Sequence, residues 1–257
     1  MIGGPQAEMS VVAQLKGVER TYSNGFKAVG PLDLELREGE FVSLLGPSGC
    51  GKSTALRLIA GLLEPTAGGI EWPRGKPPVG FVFQDPTLMP WATARDNVRL
   101  PLDLAKVPGH EALMRADAAL DRVGLAAFGG AYPRELSGGM RMRVSIARAL
   151  VAKPKLLLMD EPFAALDEMT RQELNDDLLR LWRADDLTIV FVTHSVYEST
   201  YLSTRTIVLT PRPGTIAADI AFPRRPAADP SYRFSPEFAD HASKVSSALR
   251  NAMKIAA

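Results

Sequence analysis

Three short stretches carry residue types whose spacing points to phosphate chemistry. Gly46-Pro47-Ser48-Gly49-Cys50-Gly51-Lys52-Ser53-Thr54 fits the pattern of a glycine, four residues, then Gly-Lys-Ser/Thr. Glycines let such a loop wrap with its N–H groups pointing inward, so backbone donors surround an anion. A helix starting at the end of the loop adds its positive pole. Lys52 would reach the β- and γ-phosphates of a nucleotide, and Ser53 would offer its hydroxyl to Mg²⁺. In Lys155-Leu-Leu-Leu-Met-Asp160-Glu161-Pro162 an apolar run ends in two carboxylates. Neighbouring residues leave a strand in different directions, so the two acids take different tasks. Asp160 suits Mg²⁺, held through water, and Glu161 suits polarising the attacking water. In Leu136-Ser137-Gly138-Gly139, Ser137 is a good helix cap, and two glycines in a first helical turn cost stability relative to alanine. That cost makes sense where the backbone must approach something closely, and a helix N-terminus is a second anion site. Taken alone, this third stretch reads as ordinary helix capping.

These residues need elements to position them. Residues 41–45 form a continuous apolar run bounded by Gly46, as expected of a strand buried on both faces, and a helical pattern follows over 51–62. Ligand sites in open parallel sheets lie at the carboxyl ends of strands, which places Asp160 and the loop at the same kind of edge. Further strands are predicted at 11–15, 31–36, 79–83, 155–159, 188–193 and 206–209, with a helix over 168–184 capped by Asp167. Between them, 85–152 reads as helical: 92–100, 111–123 and 138–152, separated by Pro101, Pro108 and Gly129-Gly130. The pattern is one α/β core with a mainly parallel sheet, interrupted by a helical insertion. The tail from Pro211 is rich in Pro, Ala and Arg and ends in a helix over 236–253.

Composition narrows the partners. The chain has 257 residues, 46% of them hydrophobic and 23% charged, which is enough apolar material for a sizeable core. Thirty basic residues against 29 acidic ones leave a net charge of +1, so no global field favours nucleic acid or an anionic membrane. A single cysteine excludes an internal disulfide and a multi-cysteine zinc site. No apolar run reaches the roughly 18 residues of a membrane span. The first ten residues lack a signal-peptide pattern, so a cytosolic chain is expected, working at a membrane only through partners.

Together the motifs resemble those of the ATP-binding subunits of ABC transporters, in family order from about Val11 to Ile220. The resemblance implies the following roles. Tyr22 stacks on adenine. Gly46 to Thr54 is the phosphate loop, with Lys52 a catalytic cation. Gln84 is the Q-loop glutamine, a ligand to nucleotide and Mg²⁺ beside Ser53 and Asp160. Ser137, Gly138 and Gly139 belong to the signature that closes on a nucleotide. Glu161 is the catalytic glutamate, Asp167 lies in the D-loop (Ala164 to Asp167), and His194 is the switch histidine. The fold implied is α/β: a RecA-like P-loop NTPase core with N-terminal antiparallel strands and an inserted helical subdomain. A single domain over 1–257 is expected, with 1–84 and 153–220 as the core, 85–152 as the helical insertion and 221–257 as a helical tail. ATP and Mg²⁺ are the implied cofactors. The implied partners are a second, head-to-tail subunit, a membrane permease and, indirectly, an extracytoplasmic solute-binding protein, at the cytoplasmic face of the membrane and without nucleic acid.

Two positions depart from the commonest family pattern: Met140 stands where Gln is frequent, and Ser195 where Asp is frequent. Neither removes an essential catalytic group. Gln84-Asp-Pro-Thr-Leu-Met-Pro-Trp91 is similar to the corresponding region of importers for nitrate, sulfonate, taurine and related solutes, and Leu88, Met89 and Trp91 are apolar enough to line a groove for a permease helix. His110 and His241 have no motif around them. Arg141, Arg143 and Arg148 read as solvated or paired helix residues, and Arg224 and Arg225 as a solvated turn. An ABC ATPase acting without a permease, in translation or on nucleic acid, is the alternative. It is disfavoured because the chain has one set of motifs and no heptad run. A binding module without turnover is disfavoured by the presence of Lys52, Asp160, Glu161 and His194. A GTPase lacks its Asn-Lys-x-Asp motif here.

Overall fold

The computed structural model describes residues 10–223 and 229–254, so Arg224, Arg225 and the first nine residues lie outside the described residues. In chain order the elements are β1 (Val11–Thr21), β2 (Lys27–Arg37), β3 (Phe41–Leu45), α1 (Lys52–Ala60), β4 (Ala67–Glu71), β5 (Val79–Val82), α2 (Ala94–Leu104), α3 (Gly109–Arg122), α4 (Gly138–Leu150), β6 (Leu156–Asp160), α5 (Glu168–Ala184), β7 (Thr188–Thr193), α6 (Val196–Leu202), β8 (Arg205–Leu209), β9 (Ile216–Ala221) and α7 (Pro236–Lys254). They divide into two compact units: the chain up to Pro77 together with the chain from Asp185, and Pro78–Ala184.

The first unit holds two sheets. In one, β1 pairs antiparallel with β2 on one side and β4 on the other. Pro31 has no N–H to give a ladder, and β2 tolerates it as an edge strand. In the other, β3 lies between β7 and β8, parallel to both, and β9 closes the edge antiparallel to β8. The register of β3 with β7 runs from Phe41 opposite Ile189 to Leu45 opposite Thr193, and every residue of both strands is buried. Burial on both faces explains the continuous apolar sequence of these strands. The helix α7 buries Phe238, Val245 and Ala252, spaced seven apart on one face. Val245 and Ala252 share a core with Leu45 and Val208.

The second unit holds the parallel pair β5 and β6, with Val79 opposite Leu156 and Val82 opposite Met159, and the helices α2 to α5. Both α2 and α4 start at hydroxyl caps: Thr93 accepts the Asp96 N–H at 3.2 Å, and Ser137 accepts the Met140 N–H at 3.2 Å.

The expected break at Pro101 does not occur, since α2 continues through it to Leu104. Its first turns are anchored by Asn97, which is fully buried. The Asn97 amide donates to the carbonyls of Met89, Ala92 and Thr93 at 2.9–3.2 Å and accepts the Met89 N–H at 2.7 Å. Leu102, directly after the proline, is buried. Three elements were unforeseen. The strand β4 is Gly-rich and largely exposed, β9 is a half-exposed edge strand in the Pro-Ala-Arg stretch, and α6 is a seven-residue helix. None presents the alternation or length on which periodicity depends.

Candidate nucleotide-binding site

The first unit holds the glycine-rich loop expected to bind phosphate. It leaves β3 at Leu45, and α1 begins at Lys52. Gly49 and Gly51 have φ of 76° and 101°, in the region that favours glycine. A Cβ at Gly51 would fall 2.4 Å from the Ala28 carbonyl oxygen, so the position accepts no side chain without moving backbone. Lys52 is only 4% exposed, and its ammonium donates to the Gly46 and Pro47 carbonyls at 2.9 and 3.0 Å. The cation is thus held against the loop. Cys50 is buried with its thiol packed under Gly46, whereas Ser48 and Gly49 are exposed at the mouth and Pro47 and Ser53 are half-buried. Tyr22 sits in the turn after β1, closed by its N–H to the Phe26 carbonyl at 2.9 Å. Its hydroxyl lies 3.3 Å from that of Thr54 on α1, so the aromatic turn is tied to the helix that follows the loop. His194 is exposed directly after β7. Ser195 next to it caps α6, accepting the Glu198 N–H at 3.2 Å, a task Asp would share.

The second unit supplies the carboxylates and the second helix start. Asp160 ends β6 and is 6% exposed. Glu161 follows with φ of 45°, a left-handed conformation that costs a non-glycine residue about 1–2 kcal/mol. The Glu161 carbonyl accepts the Ala164 N–H at 3.2 Å, closing a turn directly after the strand. Asp167 caps α5 as expected, accepting the Thr170 N–H at 3.0 Å and hydroxyl at 2.7 Å. Those two bonds, the backbone one first, hold its carboxyl below the usual carboxylate range. Gln84 is exposed just past β5. Ser137 is exposed, Gly138 half-buried and Gly139 buried, where a Cβ would meet the Thr170 methyl at 2.5 Å.

The arginines of α4 are committed inside this unit. Arg141 donates to the Leu136 carbonyl at 2.7 Å, and Arg143 pairs with Asp177 and donates to the Val123 carbonyl at 3.1 Å. Arg148 donates to the carbonyls of Pro86 and Thr87 at 2.7 and 2.9 Å, and burial lowers its pKa. This tie from the signature helix to the segment after Gln84 escaped the sequence reading, because nothing in the spacing of an arginine reveals its partner. Asn97 was missed for the same reason. Of the two histidines without motifs, His241 bonds the Tyr232 hydroxyl through Nδ1 at 2.8 Å, and its ring lies tilted against that of Phe222 with centres 4.7 Å apart.

The donors suit their expected ligands. Loop amides at a helix start and a buried ammonium fit phosphates. A hydroxyl, a carboxylate and an amide oxygen from Ser53, Asp160 and Gln84 are hard oxygen donors of the kind Mg²⁺ takes.

Comparison with known proteins settles the family. The ABC transporter family model matches residues 29–164. The chain belongs to the ABC transporter ATP-binding family. It is 45% identical over 203 residues to an aliphatic sulfonates import ATP-binding protein of Pseudomonas syringae pv. tomato, covering 79% of this chain and 84% of the relative. It is 41% identical over 242 residues to a taurine import ATP-binding protein of Rhizobium johnstonii, covering 90% and 92%. Among solved structures, a dimeric ATP-binding cassette in a post-hydrolysis state with ADP and Pi aligns with a TM-score of 0.74 and 35% identity, over 83% of this chain and all of the other. The α/β architecture with its mostly parallel strands is that of ABC ATPase cassettes, and this ABC protein is an ATPase that binds adenine nucleotide. Among the described residues of this ABC chain, no helix is long and apolar enough to cross a membrane.

Proposed function

We propose that this chain is the ATP-hydrolysing subunit of a membrane importer for a small solute of the sulfonate, taurine or nitrate kind. It would work as a head-to-tail dimer at the cytoplasmic face, as one domain whose helical part and tail elaborate the α/β core. The sulfonate and taurine import relatives support the solute class.

The observation that carries the dimer reading is Gly138. It sits in the first turn of α4, where glycine costs about 1 kcal/mol relative to alanine. An alanine methyl there would meet nothing of this chain nearer than 3.4 Å. The chain's own packing does not require this glycine, and close approach by an outside group does. In the proposed dimer, Ser137 and the N–H groups of Gly138 and Gly139 meet the γ-phosphate of ATP held by the partner's phosphate loop.

In the proposed reaction the loop amides and Lys52 hold the β- and γ-phosphates, and Tyr22 stacks on the adenine. Mg²⁺, held by Ser53, Gln84 and Asp160, would neutralise phosphate charge. Glu161 accepts the proton of the attacking water as its oxygen bonds to the γ-phosphorus and the bond to the β-phosphate oxygen breaks. His194 and Gln84 hold the water and the γ-phosphate, and Asp167 borders the partner. Loss of the γ-phosphate removes what holds the dimer shut, which reopens it. Trp91 is 76% exposed, with half-buried Leu88 and Met89 nearby, and supplies an apolar contact for a permease helix. A solute-binding protein outside the membrane would choose the solute.

The test is Glu161→Gln. Turnover should fall by about 10²- to 10⁴-fold with ATP still bound, the range for loss of a general base. Near-normal turnover refutes the role of Glu161. Tagged Glu161→Gln protein recovered from its host's membranes with ATP and Mg²⁺ should bring a stoichiometric integral membrane protein. A soluble ATP-bound dimer alone would overturn the importer reading and leave the ATPase chemistry standing.

A further inference from the structure

Arg212 belongs to none of the motifs above, yet it touches two parts of the nucleotide site. It lies in the turn between β8 and β9. That turn is pinned on both sides. Within it, the Thr210 hydroxyl donates to the Pro213 carbonyl at 3.1 Å and accepts the Thr215 N–H at 3.0 Å. Across it, Gly214 accepts the Gly30 N–H at 2.9 Å and donates to the Ala28 carbonyl at 3.3 Å. Gly214 also lies flat on the phosphate loop, since a Cβ there would fall 2.1 Å from the Cys50 carbonyl oxygen. The position of Arg212 is therefore fixed against the loop by its own backbone.

From that position the exposed guanidinium makes two contacts. Its Nε and Nη2 both donate to the Gly49 carbonyl, at 3.2 and 3.1 Å. Its Cζ stands 4.0 Å over the centre of the Phe26 ring. Phe26 packs beside Tyr22, with ring centres 6.1 Å apart, and Arg20 covers Tyr22 at 5.2 Å. The Tyr22 hydroxyl meets Thr54, on the helix the loop leads into. The contacts close a circuit: phosphate loop, Arg212, Phe26, Tyr22, α1 and back to the loop. The Gly49 carbonyl and the Cys50 N–H belong to one trans peptide and point in opposite directions. A cation that holds the carbonyl outward keeps that N–H on the concave side, where an anion sits. Within the loop, the Cys50 N–H donates to the Pro47 carbonyl at 3.3 Å.

We propose that Arg212 is a positioning residue that locks the base-stacking turn to the phosphate loop, so that adenine at Tyr22 and phosphates at Gly46 to Thr54 meet one pre-set surface. The proposal rests on the ATP-site reading given above. Only an arginine serves both contacts, because its flat fork donates two N–H groups to one carbonyl while its face lies on a ring.

The experiment measures ATP and inorganic tripolyphosphate affinity by calorimetry, together with kcat and KM, for the full chain and for Arg212→Ala, Arg212→Lys, Phe26→Ala and the double alanine variant. Arg212→Ala should raise the ATP Kd and KM about tenfold with kcat at saturation within about twofold. Arg212→Lys should recover little of that loss. Phe26→Ala should cost about threefold, and the double variant no more than Arg212→Ala alone, as expected for one shared interaction. Tripolyphosphate, which has no base, should lose less affinity than ATP. Unchanged ATP affinity in Arg212→Ala, additive losses in the double variant, full rescue by lysine, or equal losses for both ligands would each overturn the lock. A wild-type chain that does not bind ATP would instead overturn the site reading itself.

Discussion

Two glycine-rich helix starts, one in each unit, are built for different reasons. At the phosphate loop, Gly51 has a left-handed φ and a Cβ there would strike backbone at 2.4 Å, so glycine is a requirement of the fold. Lys52, Cys50 and Thr54 around it are buried, and the carbonyls of Gly46, Pro47 and Gly49 are taken up by Lys52 and Arg212. At the signature, Gly138 has ordinary helical geometry and room beside it, and Ser137 is exposed. The first start is braced by residues of its own unit. The second leaves its chemistry facing outward. One residue type serves internal sterics in one place and, in the proposed dimer, an approach from outside in the other.

Gly51→Ala should break that comparison most severely. The methyl cannot be accommodated without moving the Ala28 backbone, and the φ is wrong for alanine. A stability loss of about 3 kcal/mol is expected, read as a Tm fall of roughly 6–12 °C, with ATP binding abolished. A well-folded Gly51→Ala chain with normal ATP affinity would refute the steric account.

Gly138→Ala should separate stability from activity. Alanine in the first turn of α4 should leave the Tm unchanged or raise it, by up to about 1 kcal/mol of stability. ATPase activity should fall at least about tenfold, the cost of one lost electrostatic contact in a closed site. Equal activity would show that nothing approaches Gly138. Gly139→Ala differs, because its methyl meets the Thr170 side chain at 2.5 Å and should lower stability as well.

Arg148→Ala tests whether the signature helix and the Gln84 segment form one mechanical piece. Removing its bonds to Pro86 and Thr87 should cost about 1–2 kcal/mol and speed hydrogen exchange over residues 85–91. Unchanged exchange in that segment would mean that Arg148 anchors nothing.

The motifs stand out in the sequence because each combines rare residue types at fixed spacing beside a strand or a helix start. The strands β3, β6 and β7 were legible because burial on both faces leaves an unbroken apolar run. The antiparallel edges were less so. The sequence of β4, Ala-Gly-Gly-Ile-Glu, carries no alternation, and β2 hides its length behind Pro31. Pro101 misled because local propensity was outweighed by Asn97, whose four side-chain bonds hold the start of α2. Arg212 was invisible for a different reason. Its partners Gly49 and Phe26 are far away along the chain, and only the fold brings the β8–β9 turn against them.

The smallest effect separates two caps within the second unit by their chemistry. Ser137 caps α4 with a neutral hydroxyl, and Asp167 caps α5 with an exposed carboxylate. The Thr170 N–H and hydroxyl favour the ionised form, so the Asp167 carboxyl protonates at lower pH in the folded chain than in the unfolded one. The unfolded state then binds the proton first as pH falls. The contribution of the Asp167 charge is therefore full above the ordinary carboxylate range and is lost as pH drops through the depressed folded value. Asp167→Asn keeps an acceptor for the Thr170 N–H and removes the charge. Its Tm should lie slightly below that of the wild type at neutral pH, and the two curves should converge on the acid side. Ser137→Ala should lower the Tm by the same amount at every pH, since no proton is involved. Parallel curves for Asp167→Asn and wild type through the acid range would show that the Asp167 charge takes no part in the cap.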